Sequence, residues 1–289
     1  MDLNTIRIGG VPEHFNLPIH LAIEAGDFEA AGIHPQWKDY PGGTGEMTAA
    51  LRNEETDICL LLTEGILADI LNGNHSKIVS GYVKTPLTWG IHTYEENTIN
   101  HEDIFTRKIA ISRHGSGSHL MPIVDALMRN KHINESQFIT VNDLSGAIRS
   151  LNKKETEIFY WEKFTTKPYL KEGKMKRIDD FVSPWPCFSI AASNDFIRTN
   201  PELLSKTLKI IHSACAAFMT RPEAASLVSQ RFDMELKDAE RWFHSTEWEI
   251  NGWVSNKMLE GVHYILKESG IVDKDGTIDE VIWKRNRQE

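Results

Sequence analysis

The sequence predicts a two-lobed α/β fold: mixed, mostly parallel sheets with helices on both faces, and two hinge crossings between the lobes. Three observations lead there. The first third of the chain alternates short β-rich runs with helical apolar periods, a second such series starts near residue 107, and two extended runs interrupted by proline separate these blocks from their neighbours. A length of 289 residues suits two lobes with cores of their own.

In chain order, strands are expected over 5–8, 33–40 and 57–62, with helices starting near Leu17, Thr44 and Glu64. This βαβαβα pattern calls for a parallel sheet whose ligands bind beyond the carboxyl ends of its strands. Residues 77–94 read as two extended segments parted at Thr85-Pro86, because proline takes that point out of a central strand. The second series has strands at 107–112, 138–141 and 157–161 and helices at 116–130 and 143–151; in the first of these helices Leu120, Ile123, Val124, Leu127 and Met128 share one face. After 174–179, Ser183-Pro184-Trp185-Pro186 reads as a bend before an extended run at 188–192. Residues 194–268 read as almost wholly helical, with Pro201 just inside a helix start. The crossings fall near 85–93 and 186–193, which assigns 1–87 and 190–289 to lobe 1 and 88–189 to lobe 2. A cleft spanned by two hinges is a device for closing around a small ligand.

Composition narrows the function. Hydrophobic residues at 40% and charged residues at 25% describe an ordinary globular chain. With 32 Lys and Arg against 41 Asp and Glu, a net charge of -9 and no basic patch, no nucleic-acid partner is expected. The longest apolar run, 58–71, is broken by Thr63, Glu64 and Asp69, so no membrane insertion is expected. Residues 1–10 lack the regions of a secretory signal, giving a cytoplasmic expectation, or a periplasmic one if a signal peptide has been removed. Cys59, Cys187 and Cys215 form no CxxC pair and read as buried free thiols.

Two glycine-rich helix starts stand out. Pro41-Gly42-Gly43-Thr44-Gly45 and His114-Gly115-Ser116-Gly117-Ser118 each follow a strand, where backbone N–H groups can turn toward an anion at the positive end of a helix. The first matches neither a phosphate loop nor GxGxxG, and its alternative reading is a tight turn with Thr44 as N-cap. Gly43, Thr44, Ser116, Gly117 and Ser118 are the candidate anion contacts, with His114 or His119 assisting. The spacing GxSxG is absent, so no serine nucleophile is assigned. Thr63 and Glu64 follow a strand; Glu64 either favours the helix dipole or reaches the cleft to accept from an amine, amidine or ring N–H. Glu13, His14 and Phe15 follow the first strand in the same way, Phe15 offering a stacking face. Trp89 and Trp185 flank the hinges and wall the pocket unless they are core. His20 and Glu24 lack the HExxH context, and neither a metal site nor a catalytic set is expected.

Residues 6–71 (IRIGGVPEHFN through TEGILADIL), RKIAISRHGSGSHLMPIVDAL, IFYWEKF and the run from Ser189 (SIAASNDFIRTNPELL) together resemble type II periplasmic-binding proteins. The branch is that of sulfonate, taurine and nitrate binding proteins and thiamine pyrimidine synthases, with signal-less cytosolic members, a Candida-type group, the nearest in character. The resemblance covers roughly residues 5–230. It implies a receptor-type fold, a ligand contact by the second glycine loop, and a cleft role for the Trp161-Glu162 pair. It also implies a small-molecule ligand such as a sulfonate or pyrimidine-type thiamine precursor, bound by a monomer without cofactor. An ABC permease is a partner only if an export signal was removed. The alternatives are an enzyme resembling thiamine pyrimidine synthase, against which stand the missing Cys-rich segment and the lack of a lysine at the glycine loops, and a ligand sensor. A sensor would present an apolar patch near Trp242, Trp248, Trp253 and Trp283.

Overall fold

The computed structural model describes residues 4–273, 276–283 and 287–288. The chain enters through β1 (Asn4–Gly10) and continues with α1 (Leu17–Glu24), α2 (Asp27–Ala30), β2 (Ile33–Asp39), α3 (Thr44–Arg52), β3 (Ile58–Leu62) and α4 (Thr63–Leu71). β1 pairs in parallel with both β2 and β3, the arrangement that helical crossovers produce. All five residues of β3 are buried, as an unbroken Ile-Cys-Leu-Leu-Leu run in a central strand requires.

β4 (Ser76–Thr93) then runs for 18 residues. The second series follows: β5 (Ile109–Ile111), α5 (Gly117–Met128), β6 (Phe138–Thr140), α6 (Leu144–Asn152), β7 (Ile158–Glu162) and α7 (Lys167–Lys171). β5 is parallel to β6 and β7. Ala110 and Phe159 pack with Ala147 and Leu151 of α6, whereas the alternate residues Ile109, Ile111 and Tyr160 belong to the cluster containing Leu120 and Val124 of α5. Alternation along the strands therefore puts α5 and α6 on opposite faces. β8 (Lys176–Ser193), also 18 residues long, returns antiparallel along the whole of β4 and pairs with β3 through Phe188 to Ala192.

The result is one eight-stranded sheet, in the order β2-β1-β3-β8-β4-β7-β5-β6, where the sequence suggests separate sheets. Neither proline point breaks its strand. Pro86 faces Pro186, and the register shifts on either side of that pair, from Gly81 opposite Ser189 to Thr88 opposite Val182. Two residues without N–H groups cannot continue a ladder, so the irregularity is absorbed as bulges inside continuous strands. The Ser183 hydroxyl accepts from the Leu87 N–H at 3.0 Å, supplying one of the partners that the interrupted ladder lacks.

After β8 come α8 (Asn194–Thr199), α9 (Pro201–Met219), α10 (Ala224–Arg231), α11 (Leu236–His244) and α12 (Asn256–Glu268). α9 buries Leu204, Leu208, Ile211, Cys215 and Phe218, one helical stripe, with Pro201 at its first turn. These helices pack back on the β1–β3 half: the Trp248 indole donates to Phe15 O at 3.1 Å and the Glu249 N–H to Tyr82 O at 2.8 Å. The almost wholly helical expectation is corrected at 245–255, where Trp248 instead bridges Val83 of β4. Met128 is also corrected: it ends α5 and is 53% exposed. All three cysteines are free and buried. Trp242 and Trp248 are core, so of the proposed apolar patch only Trp253 is exposed, while Trp283 packs against the core.

Ile190, fully buried in β8 between β3 and β4, tests how far both halves depend on that strand. Ile190→Ala is expected to cost about 2–5 kcal/mol in urea denaturation, the usual range for a fully enclosed side chain.

Candidate functional site

The carboxyl ends of β1, β3, β5 and β7 converge on a small cavity of about 40 Å³. Val11 and Glu13 enter it after β1, Leu62 ends β3, Ser112 follows β5, and Trp161 and Glu162 end β7. Gly43 and Thr44 reach it from the start of α3, and Ser116, Gly117 and Ser118 from the start of α5. Leu87 and Trp89 of β4 and Phe188 of β8 complete the wall. This is the place at which open α/β sheets bind ligands.

Neither bordering helix is capped by a side chain. Gly43, the N-cap of α3, has φ 73°, a conformation open to glycine at little cost. Thr44 does not cap the helix as the alternative reading expects; its hydroxyl accepts from Leu62 N–H at 3.1 Å and ties α3 to β3. Ser116 is the N-cap of α5, but its hydroxyl donates to Arg113 O at 2.7 Å. The Ser118 hydroxyl accepts from Ser112 N–H at 2.8 Å and lies 3.0 Å from that of Ser116. The serines therefore shape the loop; the third N–H of each helix, from Glu46 and His119, bonds to its N-cap carbonyl at 3.0 and 2.9 Å, and no side chain caps the two before it. Gly117 permits the close approach: a Cβ there would lie 2.3 Å from Trp89 and 2.4 Å from Leu62.

Three carboxyl groups lie in or beside this region. Glu162 is buried, and one of its oxygens accepts from Phe164 N–H (2.9 Å), Thr165 N–H (2.7 Å) and the Thr165 hydroxyl (2.9 Å). Burial raises its pKa above the ordinary carboxylate range, and those donors pull it back. Glu64 Oε2 accepts from the Trp185 indole at 2.7 Å while Oε1 has no partner; burial pushes this carboxyl up to about 7. Glu13 is pushed up to about 8, first by burial and then by the nearby Glu162, with the Trp161 indole as a partial offset. No cation stands among these influences on Glu13.

Nine of the expected residues thus line the cavity: Glu13, Gly43, Thr44, Trp89, Ser116, Gly117, Ser118, Trp161 and Glu162. Six do not. His14 is buried between Phe15 and Trp242, 4.7 and 4.4 Å away between ring centroids, and burial lowers its pKa to about 3. Phe15 packs among His14, Phe188 and Trp242 rather than offering a stacking face. The Thr63 hydroxyl pairs with Ser189 at 2.9 Å, Glu64 and Trp185 bond to each other, and His114 points to the surface beside Glu135. The sequence reading missed Val11, Leu62, Ser112, Leu87 and Phe188; the first three mark strand ends, a signal that the βαβ pattern carries.

Contacts close the cleft on both flanks. Arg113 lies over Gly42, where a Cβ would meet its guanidinium, and 3.8 Å from Glu46. On the other flank Lys167 pairs with the buried Asp238, and Lys171 with Glu235, joining α7 to α11. A separate surface groove of about 690 Å³ runs between α3–α4 and α5 and contains none of the cavity's strand ends.

The fold is that of the periplasmic binding proteins, an α/β class with a mixed sheet covered by helices. Residues 89–181 match the family model described as Ca3427-like PBP. The Candida albicans CA3427 product, described as having the generic periplasmic binding protein fold, is 25% identical, with 99% of this chain and 98% of that chain covered and a TM-score of 0.89. The alkanesulfonate-binding protein SsuA from Xanthomonas axonopodis pv. citri, bound to MOPS, is 12% identical with both chains fully covered (100%) and a TM-score of 0.81. The periplasmic aliphatic sulphonate binding protein SsuA from Escherichia coli is 15% identical with 98% of each chain covered and a TM-score of 0.72. No curated protein matches this sequence. Among the described residues no helix is long and apolar enough to cross a membrane.

An acid whose pKa is higher folded than unfolded holds extra protons in the folded state between the two values, so its contribution falls as pH rises through that window. For Glu13 the window runs from 4.5 to about 8. Glu13→Gln is therefore expected to melt like the parent near about pH 5 and about 2 °C or more above it near about pH 8.5, measured by thermal unfolding at both pH values.

Proposed function

We propose that the protein is a non-catalytic binding protein that closes two lobes, residues 1–87 with 190–289 and residues 88–189, on a small anionic or zwitterionic ligand. A sulfonate or a pyrimidine-type thiamine precursor fits that class. The observation that carries this reading is the meeting of two helix starts without side-chain caps, α3 and α5, at a cavity that also contains the Glu13 carboxyl. Backbone donors at the positive ends of helices suit an anion. A carboxyl whose pKa no cation holds down suits a ligand amine or ring N–H, and its pKa falls when that partner arrives.

The engagement of the Ser112, Ser116 and Ser118 hydroxyls with each other and with the backbone supports binding over nucleophilic chemistry. The sulfonate-binding names of two proteins with this fold support the anion class. At about 40 Å³ the cavity is far below the roughly 300–1,000 Å³ of typical ligand pockets, so entry requires the lobes to part and the Lys167–Asp238 and Lys171–Glu235 pairs to open. Residues 85–93 and 186–193, at and beside the Pro86–Pro186 irregularity, are the hinges in this reading.

Taurine and ethanesulfonate separate the two ends of the site, since they share the anion and differ in the amine. Calorimetry on the full chain is expected to show binding of both, with Glu13→Gln weakening taurine about tenfold and leaving ethanesulfonate unchanged, as loss of a charge-assisted hydrogen bond predicts. Absence of heat with both sulfonates and with the pyrimidine precursor, together with an unchanged radius of gyration in X-ray scattering, overturns the reading.

A further inference from the structure

Outside the cavity, on the wall of the surface groove, His114, His119 and Glu135 bring their donor atoms within 4.8 Å of one another. His114 Nδ1 lies 3.1 Å from Glu135 Oε1, and His119 Nε2 lies 3.8 Å from Glu135 Oε2. We infer that these three residues form a divalent transition-metal site of the two-imidazole, one-carboxylate type, with zinc the natural occupant and an open coordination position toward the groove. The inference is independent of what the cleft binds.

The supporting elements are rigid where they need to be. His119 is in the first turn of α5, 9% exposed, with its ring edge-on to Phe138 at 4.8 Å. Its Nε2 is buried, turned toward Glu135, and has no hydrogen-bond partner. A buried polar atom without a partner is costly, and a metal would satisfy it. Glu135 opens the short 3₁₀ turn Glu135–Gln137, which a reciprocal Asn134–Gln137 capping box holds and which Gln137 ties to Phe105 O and Arg107 O at 3.0 and 2.8 Å. His114 stands on the exposed glycine loop and can adjust. Zinc–ligand bonds of roughly 2.0–2.2 Å put tetrahedral donors about 3.3 Å apart, a modest contraction of the observed spacing.

One existing bond has to change. His119 Nδ1 accepts from the Gly115 N–H at 3.2 Å, which leaves the ring proton on Nε2. Metal at Nε2 moves that proton to Nδ1, turning an acceptor into a donor, so the Gly115 amide releases it. Gly115 has φ 78° and is followed directly by Ser116 and Gly117 of the cavity wall. Metal binding thus acts on the glycine loop from the side away from the cavity.

The test is calorimetry of the chelator-treated full chain with zinc chloride, alongside Glu135→Gln, His114→Ala and, as a control on the same groove, His132→Ala. Removing even an outer partner of a metal ligand costs 10–100-fold, so loss of a ligand is expected to weaken zinc by at least about tenfold in the first two variants and not in the third. Glu135 and His114 are exposed, 69% and 60%, and their replacement is expected to leave the thermal midpoint of the metal-free protein unchanged. Cobalt substitution is expected to give the visible bands of a four-coordinate site, lost in the same two variants. Equal zinc affinity in all four proteins, or the absence of one-to-one binding in the parent, overturns the inference.

Discussion

β4 and β8 hold the molecule together through one long antiparallel pairing, and most other features follow from it. Each strand is long enough to serve both halves: β8 is flanked by β3 at its carboxyl end, and β4 by β7 at its own. Neither half has a complete sheet without a strand that also belongs to the other. The ladder of this pair carries several register shifts, two of them on either side of its middle, where Pro86 faces Pro186 and neither residue has an N–H to give. Trp89 and Phe188 lie on these strands within the cavity wall, so the pairing also positions part of the cavity.

The parallel strands on either side supply the remainder of the site by a common rule. A strand entering a helix delivers its last residue and the first N–H groups of the helix to the same edge of the sheet. Two such edges meet here. The donors of α3 and α5 face each other because Gly43 turns with positive φ and Gly117 leaves room for Trp89 and Leu62. Burial would make three carboxyl groups in and beside such a space costly, and each has a different resolution. Glu162 has three donors on one oxygen, Glu64 has the Trp185 indole, and Glu13 holds its proton into mildly alkaline conditions.

Structures as distant as 12–15% identity share this architecture across nearly the whole chain. That tolerance fits a core specified by strand burial and helix periodicity, which many apolar sequences satisfy. It is the strand ends and first helical turns that distinguish one ligand from another, and these are short segments separated by tens of residues.

The alternation of period-2 and period-3.6 segments determined the strands and helices of both series, from β1 to β7, because each local pattern buries one face only in its own secondary structure. The glycine-rich helix starts and the residues after β1 were legible for the same local reason, and they supplied Glu13, Gly43, Thr44 and Gly117 to the cavity, whereas Trp161 and Glu162 at the end of β7 were expected there only through the family resemblance. Local pattern could not decide what proline does inside a long strand. Pro86 and Pro186 read as breaks, yet they oppose each other and share one irregularity within continuous strands. Nor could it tell His14, Phe15 and Trp185, which turn into the core, from Trp89 and Trp161, which turn to the cavity. The cluster of His114, His119 and Glu135 lay hidden because Glu135 reaches it only after α5 reverses the chain. A side chain's partner is set by the packing of elements distant in sequence, and that packing exists only in the tertiary structure.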